Sequence, residues 1–107
     1  MAFVQIIAPS FIPDTLTEAY LVETSMVVCA ASVTNVTAAS ITISVYVAAN
    51  LDVPAAKNMV VSERRVLPNE TVVLSALKDQ LLVPGKTIHT VASTASSAVM
   101  FMTGLEV

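Results

Sequence analysis

The side chains able to do chemistry are few, and their spacing decides which reactions are open to them. His89 is the one histidine and Cys29 the one cysteine. A thiolate nucleophile needs an accessible sulfur and an adjacent base. Cys29 stands instead within Met26-Val27-Val28-Cys29-Ala30-Ala31, where a cysteine behaves as a small hydrophobe and is expected to be buried. Being alone, it forms no intrachain disulfide, which fits a reducing compartment. Zinc-type sites need several ligands at defined spacing, and no motif surrounds His89. The carboxylates Asp14, Glu18, Glu23, Asp52, Glu63, Glu70, Asp79 and Glu106 are dispersed and form no recognised cation loop. Gly85 and Gly104 are the only glycines, too few for a phosphate-cradling loop. No catalytic, metal or cofactor residue is assigned, and the expectation is a protein that is not an enzyme.

Charge narrows the partners in the same way. The net charge is −3, and the basic complement is Lys57, Arg64, Arg65, Lys78 and Lys86. Nucleic-acid binders neutralise phosphates with clustered Lys and Arg, whereas Arg64-Arg65 is flanked by Glu63 and Glu70, so no specific nucleic-acid binding is expected. Asn35-Val36-Thr37 and Asn69-Glu70-Thr71 match the glycosylation pattern, but their expected role is local, with asparagine shaping a turn before a strand.

The elements that must position these residues read as β-structure. Val, Ile and Thr are abundant, and β-branched side chains suit a pleated surface. Ile41-Thr42-Ile43-Ser44-Val45-Tyr46-Val47 alternates, placing Ile41, Ile43, Val45 and Val47 on a core face and Thr42, Ser44 and Tyr46 opposite. A preceding strand over Ser25–Val33 is expected to form a hairpin with it through Thr34-Asn35-Val36-Thr37. Further strands are predicted at Phe3–Ala8 (a short edge), Leu16–Glu23, Asn58–Val66, Thr71–Leu74, Thr87–Ser93 and Ala98–Val107. In the last, Val99, Phe101, Thr103 and Leu105 share one face, and Met100, Met102 and Gly104 the other. Pro9 and Pro13 bracket an irregular stretch. Asn50-Leu51-Asp52-Val53-Pro54 and Leu67-Pro68-Asn69-Glu70 read as turns, and Ser75–Gln80 as one turn of helix with Ser75 as its cap. Val83-Pro84-Gly85-Lys86 reads as a type II turn, with proline fixing φ at the second position and glycine accepting positive φ at the third.

Seven or eight short strands between turns predict an all-β fold, a small β-sandwich of immunoglobulin-like or jelly-roll topology. The 107 residues suit one domain, read as an N-terminal arm or edge-strand segment over 1–14 and the sandwich over 15–107. Thr24 to Leu51 lacks charge, but Ser32, Thr34, Asn35, Thr37, Ser40, Thr42 and Ser44 interrupt it as they would not in a membrane helix. Met1-Ala2-Phe3-Val4-Gln5 lacks the basic start of a secretory signal. No membrane insertion is expected.

The second half resembles small structural proteins of tailed bacteriophages. The resemblance rests on Leu67-Pro68-Asn69-Glu70-Thr71, the leucines Leu74, Leu77 and Leu81-Leu82, then Pro84-Gly85-Lys86-Thr87-Ile88, Ala92-Ser93 and Gly104-Leu105-Glu106-Val107. Val33-Thr34-Asn35-Val36-Thr37 and Ile41 to Tyr46 extend it to about Leu16–Val107. Many such proteins carry an acidic residue after the turn glycine, where this chain has Lys86. The resemblance implies a β-sandwich virion component on the head surface, at the neck or with the tail. Its implied partners are other virion proteins and copies of itself, and its implied location is the virion, assembled in the bacterial cytoplasm.

Composition agrees with life in an assembly: 55% of residues are hydrophobic and 12% charged, with mean hydropathy +0.79. Lone soluble domains carry more charge. The candidate contact residues are Phe3, Val4, Ile6 and Ile7, crowded before Pro9, and Tyr46 on the polar face of its strand. The function that the resemblance implies is a noncatalytic virion protein in head decoration or head-to-tail association. The alternative is a bacterial adhesion or carbohydrate-binding sandwich, which exposed aromatics at Tyr20 or Tyr46 around a groove would favour. A small hydrolase would require a wet cleft joining His89 to a nucleophile.

Overall fold

The computed structural model describes residues 2–49 and 53–107. Among the described residues nine strands occur in chain order: β1 (Phe3–Phe11), β2 (Thr17–Leu21), β3 (Met26–Asn35), β4 (Ile41–Ala48), β5 (Met59–Val66), β6 (Thr71–Val73), β7 (Leu81–Leu82), β8 (Thr87–Ala92) and β9 (Ala98–Glu106). A short 3-10 helix, Ala56–Asn58, precedes β5. One sheet runs β1-β9-β3-β6, with β7 also paired to β3, and the other runs β2-β8-β4-β5. All pairings are antiparallel.

The core lies between the two sheets, because alternation turns one face of each strand inward. From β4 come Ile41, Ile43 and Val45, fully enclosed, with Val47 half-buried against them. Ile88 and Ala92 of β8, Val28, Ala31 and Val33 of β3, and Met100 and Met102 of β9 complete the centre. Leu74, Leu77 and Leu82 close one side. Gly104 is required by closeness: a Cβ there would stand 2.6 Å from Ile6 Cδ1 and 2.9 Å from the Val27 carbonyl oxygen.

The wiring resolves the topology. β1, β2 and β3 alternate between sheets, whereas an immunoglobulin-like domain keeps its first two strands in one sheet. The chain changes sheets at every connection except β4–β5 and β6–β7, and β6 and β7 act as two halves of one edge strand beside β3. The result is a jelly roll, a double-sheet arrangement of two Greek keys.

Several local expectations are corrected. β3 and β4 do not form a hairpin; they lie in opposite sheets. Asn35, fully buried, makes the crossing instead. Its Nδ2 donates to the Ala39 and Val66 carbonyls at 2.7 and 3.1 Å, and its Oδ1 accepts from the Thr37 N–H and hydroxyl at 2.9 and 2.7 Å. Pro9 does not end the first strand but lies inside β1, where an edge position and a register shift between Ile7 and Ser10 tolerate its missing donor. Ser75–Gln80 forms successive turns, not a helix, closed by Leu77 N–H to Leu74 O and Lys78 N–H to Ser75 O. Leu81–Leu82 is a strand the sequence did not mark.

The two proline turns take the expected form. Lys86 N–H donates to Val83 O at 3.2 Å with Gly85 at φ 98°. In parallel, Glu70 N–H donates to Leu67 O at 3.0 Å with Asn69 at φ 57°. Of the turn expected at Asn50–Pro54, residues 50–52 lie outside the described residues.

Candidate interaction face

The outward positions of the β1-β9-β3-β6 sheet form four rows fixed by strand register. Phe3, Leu105, Val27 and Leu81 make an end row that is apolar throughout. Gln5, Thr103 and Ala30 follow, then Phe101, Ser32 and Val73. Phe11, Val99, Thr34 and Thr71 close the series. Across the five strands of this sheet the one charged side chain is Glu106, at the end of β9 in register with the inward Met26. The Thr34 and Thr71 hydroxyls bond each other at 2.7 Å, so part of the face's polarity is satisfied internally.

All three phenylalanines of the chain lie on this sheet's outer side, and none is in the core. Phe3 is 79% exposed, Val73 71% and Leu81 51%. Aromatic rings carry the largest apolar area, and a fold that gains from burying area ordinarily places them inside. The opposite face carries the ordinary solvent chemistry, with Glu18, His89 and Arg65 at outward positions.

The contact residues expected from sequence are separated by the fold. Phe3 belongs to the face and Val4 is half-buried beneath it. Ile6 and Ile7, 5% and 7% exposed, pack in this chain's own core. Tyr46 is half-buried on the other sheet, in register with His89 and Met59. Phe11, Phe101, Val27, Val73 and Leu81 join this face only through strand pairing. The signal available in the sequence is that β9 puts Val99, Phe101 and Leu105 on the face opposite its core residues Met100 and Met102, where an antiparallel strand with one wet side alternates with polar residues.

Cys29 is half-buried, not buried as expected. It occupies the register shift between Val28 and Ala30, and the extra residue of such a bulge is carried out of the pleat. His89 is in the other sheet, facing outward between the buried Ile88 and Thr90, so the core separates it from Cys29. His89 Nδ1 is enclosed without a hydrogen-bond partner. A cleft of about 200 Å³ opens between β1 and β2, lined by Phe11, Pro13, Thr17, Glu18 and Thr90 among others, with Glu18 its one carboxylate. Among the described residues no group of three or more His, Cys, Asp or Glu could hold a metal ion. Nor is any described helix long and apolar enough to cross a membrane.

Fold and face together define a jelly-roll domain with a charge-free, aromatic-bearing sheet surface. No family model matches the chain, and neither the curated proteins nor the solved structures contain a match.

Proposed function

We propose that this protein is a noncatalytic structural subunit that works by packing the outer face of its β1-β9-β3-β6 sheet against neighbours in an assembly. The observation that carries the reading is the placement of every phenylalanine around a sheet face with no charged residue in its rows. Removing apolar area from water contributes about 25 cal/mol per Å² before the costs of association, so such a face favours contact over exposure. The setting proposed is a tailed-phage particle, in head decoration or head-to-tail association, supported by the resemblance of residues 67–107 and by the low charge content. The fold adds little on its own, since jelly rolls serve capsids, lectins and cupins alike.

The carbohydrate-binding alternative has less support. Tyr20 packs against the core and Tyr46 is half-buried, so neither offers an open stacking platform. The test is to purify particles assembled with a tagged copy of this chain and to locate it by cryo-electron microscopy. Repeated copies with the β1-β9-β3-β6 face covered are expected. Absence of the chain from purified particles would overturn the reading.

A further inference from the structure

We infer that the occupant of the β1-β9-β3-β6 face is a second copy of this chain, packed face to face about a two-fold axis; this rests on the structural-subunit reading above. Three features point to a copy. The first is charge: the chain carries −3 overall, and the outward rows of this sheet's strands hold no charged side chain, Asp79 and Lys86 standing at its β6-β7 edge, so two copies meet across those rows without opposing like charges. A face without charge also offers nothing to select an oppositely charged partner.

The second is relief. The outward residues of β3 include the small Ala30, Ser32 and Thr34. They form a trough between Val99, Phe101 and Leu105 of β9 on one side and Val73 and Leu81 on the other. A two-fold axis lying in the interface, along the strands and between β9 and β3, exchanges those two strands. Each copy's β9 ridge then lies over the other's β3 trough. Because such an axis preserves level along the strand, Phe101 meets the second copy's Ser32, its register mate within one chain. The end row Phe3-Leu105-Val27-Leu81 falls on its own reverse, apolar on apolar. This is the self-complementarity that an isologous contact requires.

The third is area. β9 has nine residues and four strand positions lie abreast. At the usual rise and spacing the face measures roughly 30 by 20 Å, or about 600 Å². Two such faces exceed the roughly 1,000 Å² that specific interfaces clear. Edge-to-edge pairing through β1 is disfavoured, because Pro9 and the register shift interrupt that edge.

The test is sedimentation velocity of the full chain from low micromolar to near-millimolar concentration. Wild type is expected to approach twice its 11.2 kDa mass. Ala30→Glu places a charge in the trough at an exposed position and should weaken the dimer at least about 100-fold, with the circular dichroism spectrum unchanged. Glu18→Lys, on the opposite sheet, should leave it intact. Cys29 beside the trough supplies a second readout: its maleimide labelling should slow as wild-type concentration rises and show no such dependence in Ala30→Glu. A wild type that stays monomeric throughout, or an Ala30→Glu dimer of unchanged affinity, overturns the two-copy assignment. Particle incorporation of Ala30→Glu then judges the underlying reading separately: loss of incorporation sustains it, and full incorporation removes it as well.

Discussion

Asn35 shows how one side chain can set a connection. Its amide is fully used by Ala39, Val66 and Thr37, all at the point where the chain passes from one sheet to the other. Replacing it by alanine leaves the buried Val66 carbonyl without this donor and frees the corner. Asn35→Ala should cost roughly 2 to 3 kcal/mol in chemical denaturation. Asn35→Asp should rescue none of this, because a carboxylate cannot donate to either carbonyl and would bury a charge. Gly104 is limited by space. Gly104→Ala drives a methyl against the Val27 carbonyl and the end of Ile6, and a loss of about 1 to 3 kcal/mol is expected in the same assay. The glycosylation-like pattern at Asn35 thus reads as architecture: its amide nitrogen is already committed inside the fold.

At the scale of elements, strand positions were largely legible and partners were not. Alternation over Ile41–Val47 and the two faces of Ala98–Val107 follow from period-two placement of side chains, which is local information. The Thr34–Thr37 turn signal is equally compatible with a hairpin and with an arch between sheets, because both need only a polar residue that bends the backbone. The jelly-roll order depends on contacts between distant segments, so no local pattern encodes it. The proposed interaction face was half legible: Phe3 stood out by crowding, whereas Phe11, Phe101 and Val73 came together only through β1-β9-β3-β6 pairing. Strand β1 is itself an integral edge that supplies Ile6 and Ile7 to the core. Ile7→Ala should therefore cost about 2 to 5 kcal/mol, read as a lowered midpoint in urea at protein concentrations too dilute for association. A midpoint unchanged from wild type would return that residue to an intermolecular role.

For the whole molecule, the two faces of the sandwich differ in kind. One carries Glu18, His89 and Arg65, and the other carries phenylalanine, aliphatic and uncharged polar side chains in its strand rows. Association through the second should respond to salt in a characteristic way. Raising sodium chloride screens charge pairs but leaves apolar burial intact, and sulfate strengthens it. The dimer dissociation constant should stay level or fall with sodium chloride and fall clearly with ammonium sulfate, measured by sedimentation equilibrium. A steep weakening in sodium chloride would mean that charged residues outside this face hold the copies together.

The position of β9 has a consequence for how the protein is made. It is the last strand of the domain to leave the ribosome, yet it lies inside its sheet, between β1 and β3. Until residues 98–106 emerge, β1 has no partner in that sheet and β3 lacks one of its neighbours. The nascent domain therefore waits with open strand edges and the outer face of that sheet unformed, a state in which chance pairing between growing chains is the main hazard. The thin supply of charge also leaves the unfinished chain with little to hold its neighbours off.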